Sequence, residues 1–459
     1  MVGGSNLNIL TCEQYKDRLS NINYAEKNVI RCLRRVRIHD YIPGQVVYNL
    51  GEYPSKFSIC PTEYDYELIK SLAEMGVGMI QLHEEWNDAI RIMGADKFSS
   101  HDPKGLKEFI DLCHHFNIKI IPYISSGFFD ERDPDFREDF TRGRYCLNSS
   151  YYRYRMCFAG SPKWNEYIMT KLKILLDTYE FDGIYNDLGY DGDDILRQKT
   201  GVVSLDKQEY DPYLEDLLVR IYSLVKEQRG ICKIHQNCSF CPKTKDKVYD
   251  YLWVGEAVES TEELLKAAEY DPYVIVAPDY SFMSEEKADK LFAQTLPFLQ
   301  FLIRYDGRPI DGFERISVPG VDYIKKGERS FFEKVGAYNQ CHPEGPYVYS
   351  EWSSIPDNPL HRKKWSEYLK LYKPMVSENS ICFVDIKESA ITKNNTPVDV
   401  HMSLFVNEEK YICISNTGST KKSIIFNEMW SDCHTGEVLH DITLLPNDIR
   451  FLKYAKINH

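Results

Sequence analysis

No stretch of this 459-residue chain approaches the 18 or so consecutive apolar residues of a membrane span. The nearest, 291–303, is interrupted by Gln294, Pro297 and Gln300, so no membrane association is expected. Tracts rich in Lys and Arg are missing too. The one basic cluster, Arg31, Arg34, Arg35 and Arg37, is short and mixed with apolar residues, and the formal net charge is −13. A nucleic-acid partner, whose phosphates need a basic footprint, is not expected. Met1 to Asn6 hold no charged segment leading into an apolar one, so no secretory signal is read. The thirteen cysteines are odd in number and follow no framework, which suits a reducing compartment and predicts a soluble, cytoplasmic protein. Cys238 and Cys241 form a lone CxxC without a second pair at zinc spacing, and they read as buried or idle thiols. No early His-x-His pair is present, which weakens a metal-dependent hydrolase. Asp191-Gly192-Asp193-Asp194 is too short for a calcium loop and reads as a solvated segment. Neither a metal nor a cofactor is expected. The chain has no internal repeat or low-complexity tract beyond the alternation described next.

What the chain does have is aromatic surface, with 33 Tyr and 6 Trp. Such side chains fill cores, but they also stack on sugar rings and line polar clefts. From about residue 57, short β-like runs alternate with amphipathic segments, the pattern of a parallel sheet wrapped by helices. The runs are 57–59, 78–82, 118–125, 183–187, 231–236, 251–255 and 274–278. An eighth falls between Phe298 and Arg304, where a helix fits equally well. Helices are read at 64–75, 105–116, 213–226 and 261–269, and Trp164 to Leu176 feeds the run at 183 through a short turn. After Lys373-Pro374 the texture changes. From Ile381 short alternating strands dominate, with turn signals at 394–395, 416–418 and 434–436. The predicted fold is an α/β (β/α)8 TIM barrel over residues 46–375, preceded by a segment (1–45) packing on the barrel and followed by an antiparallel β-sandwich domain (376–459).

In such a barrel the C-terminal strand ends converge on one face and carry the chemistry. Here they supply His83, Glu84 and Trp86, then Asp187 with Tyr190 just beyond, then His235, Trp253 with Glu256, and Asp279. Several carboxylates beside aromatic rings suit glycoside hydrolysis. One carboxyl protonates the departing oxygen while another attacks the anomeric carbon or activates water. Each residue has a plainer reading as well: Asp187 as a helix cap or ion-pair partner, His83 and Glu84 as structural pairing inside the barrel. His114 and His115 read as packing and surface residues.

Asp182-Gly183-Ile184-Tyr185-Asn186-Asp187-Leu188 resembles the nucleophile strand of barrel α-glycosidases such as glycoside hydrolase families 31 and 36. The segments 81–86, 102–106 and 114–123 resemble the second and third βα units of such enzymes. The resemblance covers roughly residues 57–280 and implies that Asp187 is the nucleophile. Those families use an Asp later in the barrel as acid/base, whereas the best-placed residue here is Glu256, with Asp279 as its rival. The chitinase-like family 18 needs a terminal Glu where this chain has Gly189. The amylase-like family 13 wants an Arg where this chain has Tyr185.

The expectation is a cofactor-free glycosidase of the retaining type acting on a carbohydrate, with an α-linkage favoured by the resemblance. Asp187 and Glu256 are its catalytic pair, and His83, Glu84, Trp86, Tyr190, His235, Trp253 and Asp279 are its substrate-binding residues. The rival from another class is a carbohydrate-binding barrel without turnover. No motif specifies the sugar or an oligomeric state.

Overall fold

The computed structural model describes residues 10–50, 58–83, 86–87, 98–100, 102–131, 133–148, 153–188, 210–235, 244–254, 273–276, 285–308, 341 and 359–456. The chain opens with helix α1 (Cys12–Asn28) and strand β1 (Val29–Arg37). Eight parallel strands follow: β2 (Gln45–Asn49), β3 (Met79–Leu82), β4 (Lys119–Ser125), β8 (Gly183–Asp187), β9 (Ile231–His235), β10 (Tyr251–Val254), β11 (Val274–Val276) and β12 (Arg304–Gly307). Between β4 and β8 a three-stranded antiparallel sheet is inserted: β5 (Phe128–Asp130), β6 (Thr141–Asn148) and β7 (Arg153–Cys157). The helices are α2 (Glu63–Met75), α3 (Pro103–His115), α4 (Pro162–Thr178), α5 (Pro212–Glu227), α6 (Glu285–Thr295) and α7 (Pro359–Tyr372).

Three of these helices begin the same way. Asp102, Ser161 and Asp211 each cap a helix whose first residue is proline, and each side chain accepts a first-turn backbone N–H. The cap satisfies an orphan donor, and the proline supplies a ready helical φ where no N–H is needed. The apolar stripes, such as Trp164, Ile168, Leu172 and Leu175 on α4, then lie buried at helical spacing.

The parallel sheet is curled into a barrel. Lys233 of β9 donates through Nζ to Oε1 of Gln45 on β2 at 3.2 Å. In a flat sheet those strands, four steps apart, would lie roughly 19 Å from each other, beyond the joint reach of the two side chains. The segment leading into β2 also meets the far strands at their feet. Tyr251 Oη donates to Asp40 O and accepts from Ile42 N, while Tyr41 stacks on Tyr273 at 4.4 Å.

The C-terminal domain comprises β13 (Ile381–Ser389), β14 (Val400–Val406), β15 (Lys410–Asn416), β16 (Lys422–Asp432), β17 (Val438–Leu444) and β18 (Ile449–Tyr454). Its seven-stranded antiparallel sheet runs β1-β13-β14-β15-β18-β16-β17. The segment after β13 returns to β16 through a bridge between Thr392 and Phe426, so the sheet folds over its own core of Met402, Leu404, Ile412, Ile424 and Trp430. This is the β-sandwich. Its other face joins the barrel core through Val384, Phe405 and Phe451. Ser403 and Ser415 donate to the carbonyls of Pro297 and Ala293, at 2.5 Å each.

Three expectations are corrected. The first barrel strand is Gln45–Asn49, not 57–59. Ser58 and Ile59 lie in a loop whose carbonyls are held by Arg308, which also grips buried Asp65 on α2. The eighth strand starts at Arg304, because Leu296–Phe298 forms a 3₁₀ turn and Leu299 has a left-handed backbone. Within the N-terminal segment, residues 12–37 lie on the C-terminal domain instead of the barrel. β1 pairs with β13, and Ala25 of α1 enters the sandwich core. The helix read at 261–269 lies outside the described residues.

Candidate active site

β8 is built from its two ends. At its foot, Gly183 has φ +146° and passes so close to Ile231 that a Cβ would sit 1.9 Å from that residue's carbonyl oxygen. Only glycine fits there. Beside it Asp182 accepts from Ile120 N at 2.8 Å and pairs with His114 Nε2 at 2.9 Å. That hydrogen bond raises the imidazole's pKa above its usual 6.5. The Asp-Gly of the motif is therefore structural. Strand alternation then turns Tyr185 and Asp187 into the barrel, while Asn186 faces outward and accepts Ser126 N at 2.9 Å.

Asp187 stands at the C-terminal tip with its side chain 15% exposed, a carboxylate opening to solvent from an otherwise buried floor. Tyr123 on the adjacent β4 donates its phenol to Oδ2 at 2.7 Å. His235 on the other neighbour, β9, places Nδ1 3.6 Å from Oδ1. Ser125 Oγ donates to the main-chain oxygen of Asp187 at 2.8 Å. Gly127 passes next to Leu188, where a Cβ would meet that residue's carbonyl oxygen at 1.7 Å. The inserted sheet thus starts from a loop moulded onto the carboxylate's own backbone.

Beneath lies an aromatic floor. Tyr185 and Trp253 pack at 4.6 Å between centroids, and His235 lies against both at 6.1 and 5.2 Å. His83 sets its ring edge against Tyr123 at 5.2 Å. Lys233, fully buried two residues before His235, puts its Nζ 5.1 Å from the Trp253 ring and 5.7 Å from that of Tyr185. Burial pushes its amine far below the usual lysine range.

Of the residues chosen from sequence, the structure brings Asp187, His83, His235 and Trp253 together. It separates Trp86 from them. That ring is fully buried against Tyr179 and Phe181, with its indole N–H donated to the carbonyl of Tyr123, so it is a packing residue behind β4 and not a sugar platform. Glu84, Tyr190, Glu256 and Asp279 lie outside the described residues; β10 ends at Val254 and β11 at Val276, just ahead of the last two. Sequence reasoning missed Tyr123, Tyr185 and Lys233. Tyr185 was findable as the residue two before Asp187 on the same strand face. Among the described residues one group could gather three ligand atoms for a metal, His39, Asp40 and Glu378. It is exposed, with His39 and Asp40 ahead of β2 and Glu378 ahead of β13.

No protein-family model matches the chain, and no curated protein sequence matches it. Solved structures do resemble it. An Anoxybacillus α-amylase, described as giving insight into a new glycosyl hydrolase subclass, superposes with a TM-score of 0.51 at 9% identity, covering 91% of this chain and 99% of that one. The α-amylase of Geobacillus thermoleovorans, solved with acarbose, gives 0.53 at 8% identity over 91% and 99%. This chain has the fold of barrel glycoside hydrolases. At such identity the likeness is one of fold, and Tyr185 still stands where the amylase-like pattern has Arg. No helix among the described residues is long and apolar enough to cross a membrane.

Proposed function

We propose that this chain is a glycoside hydrolase that cleaves a glycosidic bond, α-linked by its resemblance to families 31 and 36, through a covalent intermediate on Asp187. The observation that carries the reading is the carboxylate at the tip of the fourth barrel strand, with Oδ2 held by the Tyr123 phenol and the group opening to solvent.

In the first step one oxygen of Asp187 attacks the anomeric carbon. The bond to the leaving oxygen breaks, and Glu256 protonates that oxygen. In the second step water attacks the same carbon, Glu256 takes its proton, and the ester to Asp187 breaks. Tyr123 supports this scheme by fixing Oδ2 and so presenting Oδ1. A phenol there also stabilises the carboxylate as it re-forms on departure. His235, 3.6 Å from Oδ1, orients the group from the other side. His83 is assigned to sugar hydroxyls. The two-carboxylate reaction needs no cofactor. Ten cysteines, Cys113, Cys232, Cys382 and Cys413 among them, are free thiols, which supports a reducing, cytoplasmic setting and short glycosides as substrates.

The test is a panel of α- and β-linked nitrophenyl glycosides and short oligosaccharides, with Asp187→Asn in parallel. Release by the wild type that disappears in the variant, with sugar binding retained, supports the reading. Binding without release by either protein replaces it with a carbohydrate-binding barrel. Release that survives in the variant removes Asp187 from the mechanism.

A further inference from the structure

Barrel interiors are ordinarily filled by branched aliphatic side chains. At its middle level this one holds a lysine. Lys233 has no solvent exposure, and among the described residues no carboxylate lies within ion-pair distance of it. Its described hydrogen-bond partner is Gln45 Oε1, reached across the barrel at 3.2 Å. Gln45 is itself anchored, its Nε2 donating to Ile42 O at 3.0 Å. An amine placed there forgoes hydration for one neutral hydrogen bond and two ring faces, at a cost an aliphatic residue would avoid. The compensation is positional. The amine touches the two rings, Tyr185 and Trp253, that flank His235, and His235 faces Asp187.

We propose that Lys233 is a positioning residue for the candidate catalytic carboxylate: strapped to Gln45, it sets the tilt of the Tyr185–Trp253 pair, which holds the His235 imidazole against Oδ1 of Asp187. The proposal rests on the glycosidase reading. The strap ties opposite sides of the barrel, so it fixes the floor in a way that packing against neighbouring strands alone does not. Lys233 acts through His235 and does not touch the reacting atoms.

Lys233→Met keeps the length and volume while removing the hydrogen bond. The expected result is a kcat lowered by roughly 10- to 100-fold, as for displacement of a reacting group by about 1 Å, with KM changed less than about twofold. In a double-mutant cycle the loss in Lys233→Met/His235→Ala should match that of His235→Ala alone, because both act along one path. Wild-type kcat in Lys233→Met, or losses that multiply in the double variant, would overturn the proposal. A readout without turnover separates this from failure of the enzyme reading: in heteronuclear NMR the His235 ring signals should shift in Lys233→Met and Gln45→Leu alike. Unshifted signals in both would overturn it even in a protein that hydrolyses nothing. Should Lys233→Met fail to fold, Gln45→Leu alone carries the kinetic and spectral tests, with the same outcomes counting for and against.

Discussion

Two carboxylates bracket the strand β8 (Gly183–Asp187), and their surroundings differ in kind. Asp182 at the foot is stitched into the sheet. Its side chain takes Ile120 N and His114, while its main chain exchanges hydrogen bonds with Ile120 and Ile231. Asp187 at the tip meets a phenol and an imidazole over an aromatic floor, its side chain 15% exposed against 28% for Asp182. In the first arrangement one carboxylate oxygen ties β4 and α3 to the start of β8, and the main chain joins β4 and β9 there. The second orients a carboxylate at the C-terminal mouth of the barrel. On the glycosidase reading proposed above, one strand carries stability at its N-terminal end and chemistry at its C-terminal end, as barrels generally do.

The comparison can be broken most decisively at Asp187. Asp187→Asn should lose roughly 10³-fold or more of kcat, the scale on which nucleophile removal is felt, with an unchanged melting temperature. A variant that melts early and still turns over would reverse the roles of the two residues. Asp182→Asn should do the opposite, costing about 1–3 kcal/mol in urea unfolding as the buried Ile120 N–H and the partly exposed His114 lose a charged partner, with kcat altered only a few-fold. Tyr123→Phe should lower kcat by roughly tenfold, the worth of one hydrogen bond to a charged group. If it affected KM alone, the phenol would be a sugar contact and not a support of Asp187.

The smallest effect concerns His114, which is over a third exposed. Its pKa is raised in the folded state by the hydrogen bond to Asp182. Its contribution to stability is therefore fully present below the unfolded value near 6.5 and is lost as pH rises through the folded one. His114→Gln should lower stability by less than about 1 kcal/mol at pH 5.5 and by nothing measurable at pH 9. Equal losses at both pH values would show that the imidazole's charge has no part in the foot of the strand.

Much of this was legible in the chain, and the exceptions have physical causes. Residues 183–187 could be read to the residue because a glycine, the β-prone pair Ile184-Tyr185 and a terminal Asp coincide there. The start of the sandwich at Ile381 could be read because the periodicity changes after Lys373-Pro374. β12 was displaced because Arg304 and Asp306 neutralise each other by a 2.6 Å ion pair within the strand, which leaves no apolar run to detect. The pairing of β1 with β13 joins residues from opposite ends of the sequence, and nothing local announces it. The same holds for Arg308 on Asp65 and for Lys233 on Gln45. Trp86 misled because an aromatic residue just past a strand end suits a cleft wall and a core equally. Its buried indole, donated to the Tyr123 carbonyl, decides for the core.

The central claim is that Asp187 becomes covalently attached to a sugar. Incubation with a fluorinated glycosyl fluoride, which forms the glycosyl-enzyme but releases it slowly, followed by peptide mass mapping, tests this directly. One added sugar is expected on the peptide containing Asp187 and none in Asp187→Asn. A sugar attached to any other residue, or hydrolysis of the reagent with no attachment, would contradict it.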